Sequence, residues 1–494
     1  MIKYVSTRNT SINVSSGKAI LDGQAEGGGL YVPASLENIK ADYHDIIRNG
    51  SDFRSMAKAV WNIFFDDYGK DKIDELVEAS YKDKFSAEEI TPLVKASSGT
   101  NEAYVLELYH GPTSAFKDVA LSALPNLLSA ARSMNNFEDD IMILTATSGD
   151  TGSAAIAGFS NVPGTGIIVF FPHGGVSDTQ RLQMTTAAGS NVTACAIRGN
   201  FDDAQTGVKK LFREIPHPVE GVSLSSANSI NIGRLVPQIV YYYSAYAQLL
   251  EKGAIKDGDK VDFVVPTGNF GDIMAGWFAL KMGLPVGRLI CASNKNDVLT
   301  EFLHNGHYDR KREFFKTTSP SMDILVSSNL ERLLYYVCGS DHTVEYMKQL
   351  ETTGEYSITP EELSEINSVF TGIAATDEEG AAAIRNVFKA DSYLMDTHTS
   401  IAWACMEKYA KEGSDAAATV VLSTASPYKF SAAVLNALGE ELTGSDEGNV
   451  KKVREITGSP VPSGLAGIFS RPVLHTDVID AADMKSYVIE KSDK

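Results

Sequence analysis

Cysteine is scarce in this chain: 494 residues hold four, Cys195, Cys291, Cys338 and Cys405, far apart and without C-x-x-C or zinc-ligand spacing. That excludes a disulfide-framed secreted scaffold and a structural zinc site, and suits free thiols in a reducing compartment. Long apolar runs are missing as well. Ile167-Ile168-Val169-Phe170-Phe171 is strand-sized, far short of the ~20 residues a membrane helix needs. The opening MIKYVSTRN carries no secretory signal, so a soluble, cytoplasmic protein is expected. Positive charge is in deficit: 44 Lys and Arg face 63 Asp and Glu, a formal net charge of −19 with a pI near 5.0. Such a balance argues against nucleic acid or an anionic membrane as the main partner. An anionic small molecule stays open, because a few cations and helix ends dominate the field inside a cleft.

What is present is ordinary in bulk and informative in order. Hydrophobic content of 43% and charged content of 22% fit a globular chain long enough for two or three domains. Residues 1–104 read as a mixed α/β lead-in, with a strand at Tyr4-Val5-Ser6 and a glycine turn, Gly27-Gly28-Gly29, into Leu30–Pro33. Strand–loop–helix alternation follows, with strands expected at Ile141–Leu144, Ile167–Phe171, Val192–Ile197, Val222–Ser225, Val261–Val265, Leu289–Cys291 and Ala418–Thr424. Helical spacing separates them, which argues for mainly parallel sheets covered by helices. The segment from about 300 to 380 breaks the rhythm with charged, helical patterning and a helix start at Thr359-Pro360-Glu361-Glu362. The expected division is 1–104, a smaller α/β domain over 105–235, a larger one over 236–440 containing that insertion, and a peripheral tail over 441–494.

The most telling stretch is Tyr109–Leu121, YHGPTSAFKDVAL. A turn and two hydroxyl residues lead into Lys117, which heads an apolar helical face of Ala120, Leu124, Leu127, Leu128 and Ala131. An amine held at such a junction is desolvated, which lowers its pKa and makes it the nucleophile a Schiff-base lysine must be. Taken alone, a solvated lysine beside Asp118 is the commoner case.

The run HGPT-x-AFKD resembles the cofactor-lysine signature of threonine synthases, fold-type-II pyridoxal-phosphate enzymes. Ser6-Thr7-Arg8 and GGGLYVP resemble that family's N-terminal region, and Gly174–Ser177 with Gln180–Thr186 another of its blocks, to which no chemistry is assigned. The resemblance implies a tryptophan synthase β-like α/β fold, pyridoxal 5'-phosphate joined to Lys117, and O-phospho-L-homoserine as substrate.

Four more motifs sit at strand ends in the family's order. Ser148-Gly149-Asp150-Thr151-Gly152 could be a plain capped turn or a helix-start anion site. By resemblance Ser148 and Thr151 hold the substrate's carboxylate and Asp150 lies near the cofactor's phenolic oxygen. Gly268-Asn269-Phe270-Gly271-Asp272 has neither P-loop nor dinucleotide spacing, but a glycine-bounded turn before a helix suits a phosphate. The resemblance makes it the cofactor's phosphate cup. Ser229, Asn231 and Arg234 resemble the segment that binds the substrate's phosphate, and a guanidinium suits that dianion, although a solvent-facing Arg234 is the ordinary alternative. At the last strand end, Thr424 matches the hydroxyl facing the pyridine nitrogen and Lys429 a second cation on the substrate phosphate. Ser426 stands where many family members carry histidine.

The implied reaction is β,γ-elimination and replacement giving L-threonine and phosphate. A threonine-synthase-like phospholyase, releasing phosphate, ammonia and 2-oxobutyrate, has nearly the same motifs. No metal is implied, and monomer and homodimer stay equally open.

Overall fold

Runs of Val, Ile and Phe without polar alternation suit strands buried on both faces. In the computed structural model, which describes residues 1–147 and 149–493, Thr165–Pro172 and Val261–Pro266 are buried along their whole length. Each is central to a sheet. Five parallel strands run in the order Val478–Asp480, Val192–Arg198, Thr165–Pro172, Asp140–Ala146, Val222–Ser225. Six run in the order Phe370–Ala374, Val286–Ser293, Val261–Pro266, Ala418–Ser423, Glu102–Glu107, Leu93–Ser97, parallel except for the antiparallel edge strand Leu93–Ser97. The N-terminal region adds a three-stranded antiparallel sheet of Asn9–Val14, Tyr4–Ser6 and Tyr31–Pro33. This is the expected α/β architecture of two sheets with helical cover.

The helix Ile232–Glu251 is buried without a break from Ile232 to Leu249, as a helix apolar on every face must be. It packs against Lys117–Met134, Phe53–Phe64 and Gly271–Met282. Its polar side chains find partners in the core: Gln248 Nε2 donates to Thr91 O at 2.8 Å and Tyr242 Oη to Asp272 O at 2.9 Å. Lys117–Met134 also lies close against Asp150–Phe159. Pro125 leaves the Leu121 carbonyl without its i+4 amide, and Gly158 lets the second helix approach there: a Cβ on Gly158 would lie 1.9 Å from Leu121 O. Two residues without ordinary helix propensity thus set the distance between the helices that carry Lys117 and Asp150.

Sheet membership cuts across the expected chain divisions. Glu102–Glu107 pairs with Ala418–Ser423, so the strand before the lysine loop belongs to the larger sheet. Within the insertion, Phe370–Ala374 is a strand of that same sheet. The last residues are integral to the core: Val478–Asp480 extends the smaller sheet, and Met484, Tyr487 and Val488 pack with Phe170 and Cys195. Short strands and amphipathic helices at chain ends look alike by pattern alone, which is why the tail reads as peripheral in sequence. No helix among the described residues is long and apolar enough to cross a membrane.

Candidate active site

Lys117 is the first residue of its helix. The loop before it is fastened on three sides: Phe116 N–H donates to Thr424 O at 2.8 Å, Tyr241 Oη to Phe116 O at 3.0 Å, and Ala115 bridges Ala425. Asp118 is buried and accepts from Thr113 N at 2.8 Å and Thr113 Oγ1 at 2.5 Å. Gly111 must be glycine, because a Cβ there would lie 2.4 Å from the Asp118 Cβ. Ser114 holds a left-handed conformation at φ 61°, uncommon for a residue with a side chain and frequent near functional groups. The loop therefore turns back on Asp118 and delivers Lys117 beside the ends of two strands. Burial lowers the Lys117 amine to about 8, with Asp150 opposing that shift and Arg234 and Lys429 adding to it.

Around that amine the structure gathers three of the other expected residues, Asp150, Arg234 and Lys429. Asp150 and Lys429 form a buried ion pair, Oδ1 to Nζ at 2.8 Å, and Lys429 Nζ also donates to Thr113 O at 2.9 Å. Burial works to raise the Asp150 pKa, but Lys429 and then Lys117 outweigh it and hold this carboxyl well below its usual range. Arg234 is buried, and desolvation brings it down to about 10, still cationic at neutral pH. Its Nη1 donates to Ala227 O at 2.8 Å, while its Nε finds no partner among the described residues. Ser229 Oγ, five residues earlier, is likewise buried and unpaired. Thr424 is buried at the strand end beside the lysine loop.

Asn231 also serves the fold. Its Oδ1 caps the helix Ile232–Glu251 by accepting from Gly233 N at 2.9 Å, and its Nδ2 donates to Ile20 O at 2.9 Å. The cap fixes Arg234 on the first turn, and one N–H of the amide remains for a ligand. Thr151 lies in the first turn of Asp150–Phe159 and keeps accessible surface. Ser148 falls outside the described residues. Ser426 caps the short turn carrying Lys429, accepting from Tyr428 N. The imidazole of His398 packs on this turn, its ring centre 4.9 Å from that of Phe430.

The turn Gly268–Asp272 follows Val261–Pro266 and opens the helix Gly271–Met282. Gly268 admits no side chain, since a Cβ would lie 2.7 Å from Ser321 O. Phe270 takes φ 61° with its ring 5.5 Å from that of Phe370. Asp272 is pushed up to about 7 by burial, with Tyr242 Oη on Oδ1 at 3.1 Å and Oδ2 unpaired. A carboxyl whose charged form is disfavoured in this way competes with an anion at this helix start less than an ordinary aspartate.

Several contributors were assigned no chemistry from the sequence, Gln180 and Gln183 among them although they lie in a family block. Gln180 Nε2 donates to Asp150 Oδ1 at 3.2 Å, and Gln183 Nε2 to Thr113 O at 2.9 Å. Their three-residue spacing on one helix was the available sign that they share a face. Ser321 Oγ reaches Asp150 Oδ2 at 3.5 Å, and its N–H donates to His398 Nε2 at 3.1 Å, with Asp396 on Nδ1 at 2.8 Å. A D-x-H at a helix start was the only trace of this pair in the sequence.

The donor set fits a phosphorylated aldehyde. It offers a primary amine near pKa 8, a glycine turn at a helix start, a hydroxyl at a strand end, and unpaired buried donors on Ser229 and Arg234. These are the needs of a pyridoxal phosphate and of a second anion beside it.

Known proteins agree along the chain. Residues 85–425 match the family described as pyridoxal-phosphate dependent enzyme, 3–81 the threonine synthase N terminus, and 399–488 the threonine synthase C-terminal region. A threonine synthase of Schizosaccharomyces pombe is 36% identical over 471 residues, 88% of this chain and 89% of its own. The crystal structure of a PLP-bound threonine synthase from Brucella melitensis matches with a TM-score of 0.88 and 37% identity, covering 100% of both chains. A yeast threonine synthase structure matches with a TM-score of 0.89 and 32% identity, covering 99% of this chain and 98% of its own.

Proposed function

This chain belongs to the threonine synthase family of pyridoxal-phosphate-dependent enzymes, and from that premise we propose that it converts O-phospho-L-homoserine and water to L-threonine and phosphate. The observation carrying this reading is the excess of positive charge in the site. Lys117 feels the positive charges of Arg234 and Lys429 there, opposed by Asp150 and Asp118, and Arg234 keeps a buried Nε without a partner among the described residues. A buried donor left unpaired costs stability unless a ligand takes it, and a phosphate dianion would.

Pyridoxal phosphate, when bound, supplies an electron sink for bonds broken at the substrate's Cα and Cβ. Lys117 Nζ, unprotonated above about pH 8, takes the Cα proton and later returns one to that carbon. Arg234, with Ser229, holds the substrate phosphate and neutralises the charge that leaves as the Cγ–O bond breaks. Lys429 shares that work while staying fixed by Asp150 and Thr113 O. Thr151 and Ser148 hold the α-carboxylate. Thr424, a neutral hydroxyl, leaves the pyridine nitrogen less charged than a carboxylate partner would, and so favours elimination over transamination. The amides of Asn269, Phe270, Gly271 and Asp272 serve the cofactor phosphate. A cytoplasmic setting belongs to the same proposal, supported by four cysteines that form no disulfide.

The test is to supply O-phospho-L-homoserine to cofactor-loaded protein and quantify phosphate, threonine and 2-oxobutyrate. Equal phosphate and threonine is the expected result. Phosphate accompanied by 2-oxobutyrate makes the chain a phospholyase with the same site, and no phosphate at all overturns the substrate.

A further inference from the structure

The insertion supplies none of the motif residues, yet its side chains end on the turn Gly268-Asn269-Phe270. Ser327 Oγ donates to Gly268 O at 2.8 Å. Asn329 donates twice to Asn269 O, from its N–H at 3.0 Å and from Nδ2 at 2.9 Å. Arg332 braces Asn329 from behind: Nη1 donates to Asn329 Oδ1, Nε to Tyr31 O at 3.1 Å, and Nη2 to Ile230 O. Arg332 is fully buried, and desolvation lowers it only to about 10, so it stays a charged donor.

In a trans peptide the C=O and N–H point in opposite directions. Pinning the carbonyls of Gly268 and Asn269 toward the insertion therefore turns the N–H groups of Asn269 and Phe270 the other way. On that side neither donates to any described residue. The left-handed Phe270 fits the same picture, because such a conformation persists where its surroundings over-determine it. A peptide free to flip would instead aim a carbonyl dipole at an incoming dianion. Through Ile230 O the same brace reaches the segment bearing Ser229 and Arg234.

We infer that Ser327 and Asn329, backed by Arg332, are positioning residues that lock the peptide planes of the 268–270 turn so that its N–H groups face the cofactor phosphate. This rests on the reading of that turn as the phosphate cup. The insertion is thereby part of the cofactor site.

Asn329→Asp keeps the shape of the side chain and its acceptor for Arg332 but sets an oxygen against Asn269 O. Ser327→Ala removes one donor, and Ser327→Thr retains it. Apoprotein is titrated with pyridoxal phosphate to obtain Kd, and the phosphorus NMR resonance of the bound cofactor is recorded. Loss of one hydrogen bond in the lock weakens cofactor binding about tenfold. The expected results are that loss in Ser327→Ala, a larger one in Asn329→Asp, a displaced phosphorus resonance in both, and wild-type values in Ser327→Thr. Wild-type Kd and resonance in Asn329→Asp and Ser327→Ala overturn the lock while leaving the cup in place. Should Asn329→Asp fail to fold, equal Kd values for Ser327→Ala and Ser327→Thr overturn it instead. Wild-type protein that binds no pyridoxal phosphate removes the cup reading and the lock together.

Discussion

Burial holds Lys117 near pKa 8, whereas the unfolded chain keeps it at the ordinary 10.5. Below about pH 8 both states bind the proton and the penalty on the fold is complete. From about 8 to 10.5 the unfolded state binds more protons, so this group's contribution to stability improves as pH rises. Apoprotein carrying Lys117→Met should therefore be more stable than wild type near neutrality, with the gap closing by ~2 kcal/mol between about pH 7 and pH 10 in urea melts. A constant gap would show that the amine is not desolvated. At the other end of the ion network, Lys429→Met leaves Asp150 buried beside fewer cations, and a loss of about 3–5 kcal/mol is expected for breaking such a pair. Asp150→Asn combined with Lys429→Met should recover part of it, as a double-mutant cycle of unfolding midpoints would measure. Legibility was uneven at this scale. Lys117, Arg234 and Lys429 sit in runs of distinctive composition, whereas Ser321 and His398 reach the site from segments whose composition is unremarkable, and Gln180 from a family block that pointed to no chemistry.

Helices and strands followed pattern closely where the pattern was long. Pro360–Asn367 starts from the Thr359–Glu362 capping box, and Thr397–Tyr409 takes Asp396 as its N-cap. Pattern said less about how elements touch. Pro125 and Gly158 are individually poor helix residues, and their use appears only where two helices meet at Leu121 O. Gly158→Ala should cost about 1–3 kcal/mol, since the neighbouring atom is backbone and has to move. It should also lower turnover by shifting Lys117 relative to Asp150. Thermal melts and phosphate release measured on the same preparation test both, and an unchanged Tm with normal turnover would mean that the helices part without consequence.

At the level of the whole chain, the last fifty residues return to the site. A Cβ on Gly464 would lie 2.2 Å from Pro112 O, inside the lysine loop, and Tyr428 Oη donates to Ser459 O near Lys429. Gly464→Ala should therefore push on the loop carrying Lys117 and weaken cofactor binding, measured as Kd for pyridoxal phosphate. Removing residues after 440 should be more severe, because it strips Val478–Asp480 from the smaller sheet and uncovers Phe170 and Cys195. A truncated protein that stays folded by circular dichroism and binds cofactor normally would make the tail dispensable.

By itself the sequence determined the α/β class, most strands and helices, and the order of five chemical motifs at strand ends. These depend on local spacing and on residue types with few substitutes, a lysine at a helix start or glycines at a turn. Tertiary structure alone decided that Glu102–Glu107 and Phe370–Ala374 join the larger sheet, that the tail completes the smaller one, and that Asn231 caps the helix bearing Arg234. It also decided that Ser327 and Asn329 grip a turn some sixty residues earlier in the chain. Such pairings join segments far apart along the chain through backbone carbonyls, which every residue carries alike, and so no residue type in the sequence announces them.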